Sequence, residues 1–426
     1  MSTDKLGFII CPLCGCACGL NLLAQRVRAD QPLTITVVPS SAPGGGAAGL
    51  CMRGWQMGEI LGSRHRLRHP MVRRQGEQQR VSWDEALAQA SEALRGLRAA
   101  DPASIGIVLS DSLSIEEAFA ARQFGDLLGT PNVACLGLEI DAPAIHGLEQ
   151  ALGAPYRAPT VEELDGVDLF VCVNSNFQHM HPRAAGVMAR RVQQGAARMA
   201  LIDEVDQGWA VWASVFAQHP PGMRADALRQ LAAALSGEQD AGPMAAGDVR
   251  ALVAAISESR RVALVFSAAA LMGIEEGQAV GQLARAMPAE ARGVGPYALP
   301  WGANTFGVLD MLAAGGRGPG GMSVTSMVAT GSGLRGLILV GEDLGRLYGP
   351  GEWTELRARL ERQALTAEVP DLVIVEDFEL TLGDAYELID RGYLDEARDL
   401  YLELARDHVG DPRLLELLDA LRRAEQ

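Results

Sequence analysis

The chain has 426 residues, enough for two or three domains that each bury a core. Apolar residues make up 48% and aromatics only 5%, a balance that suits a packed α/β protein and excludes a disordered one. With 37 basic against 53 acidic side chains the net charge is -16, which disfavours a nucleic-acid partner, and no apolar run is long enough to span a bilayer.

The first informative stretch runs from Cys11 to Cys51. Cys11-x2-Cys14-x3-Cys18 is followed by thirty-two residues and then Cys51 within Gly49-Leu50-Cys51-Met52-Arg53-Gly54. Four thiolates from one tight loop and one return point suit a [4Fe-4S] cluster, in which each iron takes one sulfur ligand. Pro12, Gly15 and Gly19 favour a loop wrapped around a ligand over a helix. Cys16 adds a fifth thiol. Structural zinc is the alternative, although it usually takes two short Cys-x2-Cys knuckles. Leu6 to Ala24 is apolar and follows Lys5, but Pro12, Gly15, Gly19 and four cysteines within it, with no twin-arginine pair ahead of it, argue against a secretory leader. Five of the seven cysteines sit in this region, so no disulfide framework is expected and the expected compartment is reducing, hence cytoplasmic.

Thr34 to Val38 reads as a strand, Ser40 to Gly49 as a loop returning to Cys51, and Trp55 to Leu61 as a helix. Arg64 to Pro70 is a basic connector. Ser82 and Glu85 form a capping box opening a helix with Ala86, Ala90 and Leu94 on its apolar stripe. From Ser104 the rhythm becomes strand, loop, helix. Buried strands are predicted at Ile105 to Leu109, Leu169 to Val173, Met199 to Ile202, Val262 to Phe266, Leu337 to Val340 and Leu372 to Val375. Helices are predicted near Glu116 to Leu128, Arg183 to Gln193, Arg224 to Leu235, Ala251 to Ser257, Glu275 to Ala286 and Glu352 to Arg362. This alternation implies parallel, doubly wound sheets with ligands at the strand carboxyl ends.

The loop after the second of these strands is the most polar: Asn174, Ser175 and Asn176, then His179, His181, Pro182 and Arg183. Asn and Ser at a strand end can bond phosphates, and the helix opening at Pro182 aims free N–H groups at the same crevice. Two histidines without carboxylates nearby make a weak metal site. A polar helix cap accounts for the same residues.

These segments together resemble the molybdopterin oxidoreductase superfamily, in particular the catalytic subunit of formate dehydrogenase and, locally, formylmethanofuran dehydrogenase. The cysteine motif, Arg66 to Arg73, Val81 to Ala86, and Asn176 to Arg183 carry the resemblance, with Gly302 to Gly307 and Gly341-Glu342-Asp343 matching further family loops. It implies a [4Fe-4S] cluster on Cys11, Cys14, Cys18 and Cys51, with Arg53 between cluster and pterin. It also implies a molybdopterin guanine dinucleotide with Mo or W near Asn174, Ser175, Asn176, His181, Asp203 and Asn304.

Three departures oppose catalysis. Ile140 stands where the family carries its metal-ligating cysteine or selenocysteine, and Asp141 where it carries histidine. Asp203-Glu204-Val205 replaces Asp-Pro-Arg, putting Glu204 where it would repel phosphate. Cys135 lies five residues too early to be the ligand and reads as a buried small residue.

The expected fold is α/β: an iron-sulfur domain (1–66), an α/β domain (67–134 plus 296–378), an inserted Rossmann-like domain (135–295) and a helical, tetratricopeptide-like tail (379–426), without the family's C-terminal β-barrel. The expected function is a non-catalytic electron-transfer or structural subunit of an oxidoreductase complex, with partner subunits and the tail as a further protein contact. A pterin enzyme acting on a one-carbon substrate and a cluster-bearing assembly protein are the alternatives.

Overall fold

The structure is a computed structural model. It describes residues 2–424 except 27–33, 41–48, 64–66, 68, 75–76, 157, 174–175, 239–240, 272, 290–292, 314–320, 330–331, 345–372, 375–397 and 399–411. The predicted helix Glu352 to Arg362 lies outside these residues, as does the predicted tail apart from Arg398 and residues 412–424.

In chain order the elements begin with strands β1 (Ser2–Ile10), β2 (Gly19–Arg26) and β3 (Thr34–Pro39), helices α1 (Met52–Trp55) and α2 (Met57–Leu61), and the hairpin β4 (Met71–Arg74) and β5 (Glu77–Arg80). Then come α3 (Trp83–Ala100), β6 (Ile105–Leu109), α4 (Ile115–Leu128), β7 (Asn132–Cys135), α5 (Gly137–Ile140), α6 (Ala142–Leu152), β8 (Leu169–Val173), α7 (Phe177–Met180), α8 (Pro182–Gln193), β9 (Arg198–Asp203) and β10 (Val215–Gln218). The remainder is α9 (Arg224–Leu235), α10 (Ala246–Ser257), β11 (Val262–Ser267), α11 (Ala268–Leu271), α12 (Ile274–Ala286), β12 (Gly295–Leu299), α13 (Thr305–Ala313), α14 (Val324–Val328), β13 (Gly336–Val340), β14 (Val373–Ile374) and α15 (Pro412–Ala424). Among the described residues no helix is long and apolar enough to cross a membrane.

The central sheet has the order β10-β9-β8-β11-β12 and is parallel throughout. Strand order reverses between β8 and β11, which places a topological switch point at their carboxyl ends. β8 is buried along its whole length, and its side chains alternate between two layers as the pleat requires. Leu169, Val171 and Val173 face a core built with α6, α9, α10 and α12. Phe170 and Cys172 face a second core that includes α8 and, notably, Cys11, Cys14, Cys16 and Cys18. The cysteine loop is thus anchored on one face of this sheet.

A second parallel sheet has the order β13-β6-β7. Two smaller antiparallel sheets complete the set, β1-β2-β3 and β14-β4-β5. The predicted parallel strand at Leu372 to Val375 is corrected here: its described part, Val373–Ile374, pairs antiparallel with β4. A short β-branched run looks the same in either setting, and only its neighbour decides. β12 belongs to the central sheet, so the boundary expected at 295/296 falls inside a strand. The predicted helix Trp55 to Leu61 is two short helices meeting at Gln56. The predicted capping box is half made: Ser82 accepts from Glu85 N–H, but the Glu85 carboxylate pairs with Arg74 instead.

Helices α6 and α12 meet through glycines. A Cβ on Gly147 would collide with the Ile274 carbonyl, and one on Gly277 with the Ala144 carbonyl. Backbone cannot yield as a side chain can, so Gly277→Val is expected to cost about 3 kcal/mol by overpacking. Gly186, helical with open space around it, gives the contrast: Gly186→Ala is expected to gain about 0.5–1 kcal/mol. Urea unfolding of both variants measures the difference.

Candidate metal centre

β1 and β2 form an antiparallel hairpin whose connection is the cysteine motif itself. Ile10 pairs with Gly19, and one step further Cys11 N–H donates to the Cys18 carbonyl at 2.8 Å. The loop is therefore closed at its foot, with Cys11 and Cys18 side by side. Ala17 N–H donates to the Cys14 carbonyl at 3.2 Å, and Ala17 takes a left-handed φ of 45°, a conformation uncommon for a residue with a Cβ. Gly15 presses against the Pro300 carbonyl, where any side chain would collide. Cys51 arrives from the other side as the N-cap of α1 and is only partly buried.

The electrostatics explain what these thiols need. Burial pushes Cys18 up to about 12, helped by the charges of Cys14, Cys11 and Cys51. Cys11 is likewise raised, chiefly by burial. Cys14 runs the other way, down to about 6, because the Cys16 thiol donates to it and Arg53 stands nearby. Four thiolates so placed repel one another, so binding a cationic iron or cluster and shedding their protons are coupled. Two guanidiniums flank the set: Arg53 beside Cys11 and Cys14, and Arg183 beside Cys18. Arg183 is buried with one nitrogen unpartnered.

A single zinc would need its sulfurs about 3.8 Å apart, given Zn–S bonds of about 2.3 Å. Among the described residues no three His, Cys, Asp or Glu side chains are grouped tightly enough to hold one ion. A cubane holds its four ligands on a wider frame. Four thiol donors are the ligand type and number a cubane takes, one for each iron.

Beside this loop lies a crevice of about 410 Å³, walled by Cys14, Arg53, Asp111, Trp301 and Glu342 among others. It is at the small end of ligand sites. Its walls come from the carboxyl ends of β6, β12 and β13, and Ser112 ties them to the cysteine loop by donating to the Pro12 carbonyl at 2.8 Å. Asp111 was not singled out from the sequence, although an acid directly beyond a fully buried strand was a usable signal. It accepts from Gly137 N–H at 3.1 Å and from the Cys135 thiol, and burial raises it to about 6. Asp141, fully buried, accepts from Trp301 N–H at 3.3 Å and is pushed by burial up to about 7. Ile140 packs in the core behind it. Cys135 is buried, as the sequence implied, yet it is a hydrogen-bond donor rather than a mere space-filler.

Several predicted cofactor residues have other partners. Asn174 and Ser175 lie outside the described residues. The Asn176 carbonyl starts α7 by accepting from His179 and Met180. His181 is buried, its Nε2 on the Pro300 carbonyl at 2.8 Å and its Nδ1 unpartnered, and burial lowers it to about 4. The Asn304 amide donates to the Leu113 carbonyl at 2.7 Å, clamping the Asp111 loop rather than facing the crevice. Asp203 accepts from Glu204 N–H at 2.7 Å. Glu204, expected to repel phosphate, is instead engaged by Arg224 at 3.4 Å and by Gly222 N–H at 3.2 Å. Arg53 does line the crevice, with a hydrogen bond of 2.6 Å to the His179 carbonyl.

Parallel sheets whose carboxyl ends border a crevice beside the cysteine loop define an α/β protein. Residues 66–238 match the molybdopterin oxidoreductase family, and through them the chain is related to that family. The F420-dependent formate dehydrogenase 1 subunit alpha of Methanococcus maripaludis is 27% identical over 221 residues, covering 51% of this chain and 32% of the relative. Acetylene hydratase from Pelobacter acetylenicus superposes with a TM-score of 0.52 at 17% identity, over 67% of this chain and 43% of that one. The formyltransferase/hydrolase complex FhcABCD from Methylorubrum extorquens, in complex with methylofuran, matches with a TM-score of 0.38 at 16% identity over 49% of this chain and 57% of that one. The chain thus spans about a third of the length of the methanococcal subunit.

Proposed function

We propose that the protein is a cluster-carrying electron-transfer or structural subunit of an oxidoreductase complex, related to formate dehydrogenases, in which Cys11, Cys14, Cys18 and Cys51 hold a [4Fe-4S] cluster. The placing of Cys11, Cys14 and Cys18 on one hairpin, beside Arg53 and Arg183 and with Cys51 close enough to act on Cys11 and Cys18, carries the reading. When bound, the cluster accepts and releases single electrons. The chain's own part is to exclude water from Cys11, Cys14 and Cys18 and to offset their charge with two guanidiniums. The methanococcal relative is a subunit by its description, which supports a place among partner subunits. We also propose the domain division 1–66, 67–134 plus 296–378, 135–295 and 379–426, with the 295/296 boundary moved to the end of β12 at Leu299 so that the strand stays with the central sheet.

The family implies a molybdopterin cofactor carrying Mo or W. The described residues do not fit its phosphates well. The crevice offers Arg53 against Asp111 and Glu342, and the carboxyl end of β9 is filled by Glu204, Arg224 and Glu276 bonded to one another. One observation favours the enzyme reading instead, in which a pterin acts on a one-carbon substrate: the crevice opens directly onto Cys14.

Iron, sulfide, molybdenum, tungsten and released pterin, measured together on anaerobically purified protein, separate the two. About four irons per chain without Mo, W or pterin is the expected result. Stoichiometric pterin with either metal would overturn it in favour of the enzyme.

A further inference from the structure

The hairpin ladder fixes Cys11 and Cys18 at its foot, but its pairing stops at Ile10 and Gly19 and does not reach Cys14 at the tip of the loop. Cys14 is placed from outside, through the residues that bracket it. On one side Ser112 Oγ donates to the Pro12 carbonyl at 2.8 Å. On the other, Gly15 lies so close to the Pro300 carbonyl that a Cβ would collide with it. Pro300 follows β12 and opens a short shelf, Pro300-Trp301-Gly302, in which each residue has a backbone group held by a buried side chain. His181 Nε2 bonds the Pro300 carbonyl at 2.8 Å. Asp141 accepts from Trp301 N–H at 3.3 Å, and Thr305 Oγ1 accepts from Gly302 N–H at 2.9 Å. None of these three residues is more than 1% exposed. They come from three separate places in the chain: the start of α8, the end of α5 and the start of α13.

We propose that His181 is a positioning residue for the cluster ligand Cys14: its Nε2–H holds the Pro300 carbonyl, and that carbonyl seats Gly15 and with it the tip of the cysteine loop. The inference rests on the cluster reading given above. A carbonyl only accepts, so Nε2 carries the proton in this bond and Nδ1 is the bare nitrogen. Nδ1 has no partner among the described residues. The imidazole is carried on fixed backbone, since His181 N–H donates to the Phe177 carbonyl at 2.7 Å and its own carbonyl accepts from Ala185 N–H at 3.1 Å. Pro300 is buried, so water is not at hand to replace the donor, and an orphaned buried acceptor is costly. The carbonyl would then be free to turn, and Gly15 would lose its seat. Groups that orient a metal ligand without touching the metal change its affinity about ten- to a hundredfold when removed. Asp141 and His181, which the family pattern puts at the cofactor, serve in this chain as struts behind the cysteine loop.

The test loads the full chain anaerobically with iron and sulfide and follows cluster loss to excess chelator by visible absorbance. It compares wild type with His181→Leu, His181→Gln and His181→Asn. A glutamine amide reaches the place of Nε2 and can donate to Pro300, whereas the asparagine amide is one carbon short of it. His181→Leu and His181→Asn should lose iron about tenfold faster than wild type, and His181→Gln should stay close to wild type. Gly15→Ala, which pushes on the same carbonyl from the loop side with His181 intact, should lose iron faster as well. Release from His181→Leu at the wild-type rate overturns the proposal. Where His181→Leu does not fold, the two amides decide, because they differ only in reach: equal release from His181→Gln and His181→Asn overturns it. A wild type that holds about four irons beside variants that hold them equally well sinks this inference alone. A wild type without iron sinks the cluster reading and this inference with it.

Discussion

Cys18→Ser is expected to reduce bound iron from about four per chain to below one, measured by iron and sulfide analysis after anaerobic reconstitution. Cys18 is the thiol with most to lose. It is buried, it faces Cys11, Cys14 and Cys51, and Arg183 stands beside it. A serine oxygen is a harder and shorter-reaching donor, and the closed foot of the hairpin leaves the backbone no slack to bring it nearer. Cys172→Ser is the control: that thiol is also fully buried, but its sulfur contact is Met188 at 3.9 Å on the β8 side of the core. It should retain full iron. Equal iron in Cys18→Ser and wild type would remove Cys18 from the ligand set. Far-ultraviolet circular dichroism separates ligand loss from misfolding, because β1-β2-β3 keeps its own backbone ladder in either case.

Asp141→Asn is expected to stabilise the metal-free protein at pH 8 by as much as about 4 kcal/mol and to change it little at pH 4. Burial pushes the Asp141 carboxyl up to about 7. Between its ordinary range near 4 and that value, the folded chain holds a proton the unfolded chain has released. The stability this group contributes is therefore full below about pH 4 and is lost as pH rises through about 7. Asp111, raised by burial to about 6, acts in the same direction. His181 acts oppositely: burial lowers it to about 4, so stability is lost as pH falls from about 6.5 towards 4. Asparagine keeps an acceptor for Trp301 N–H and has no charge to bury. Urea unfolding at pH 4, 6 and 8 checks the prediction. The same difference at all three values would show that ionisation of Asp141 is not its source.

The sequence by itself carried what depends on local pattern. β6 and β8 were legible to the residue because strands buried on both faces are continuous apolar runs. The helices α4, α8 and α9 followed from their apolar pattern between strands; the full capping box of Ser114 and Glu117 on α4 is seen only in the structure. The cysteine spacing named a candidate metal centre before any fold was known. β7, β10 and β12 were missed because each has only four or five residues, and Asn132, Gln218 and Pro296 dilute the apolar signal.

Tertiary structure alone decided the partners. Asn304, expected near the cofactor, donates its amide to the Leu113 carbonyl, 191 positions away in the chain. Glu204, read as a repulsive charge, is neutralised by Arg224, twenty positions away. Local sequence encodes which side chains seek burial and where the chain turns. Which donor meets which acceptor depends on contacts far apart in the chain, and those exist only once the sheets have packed.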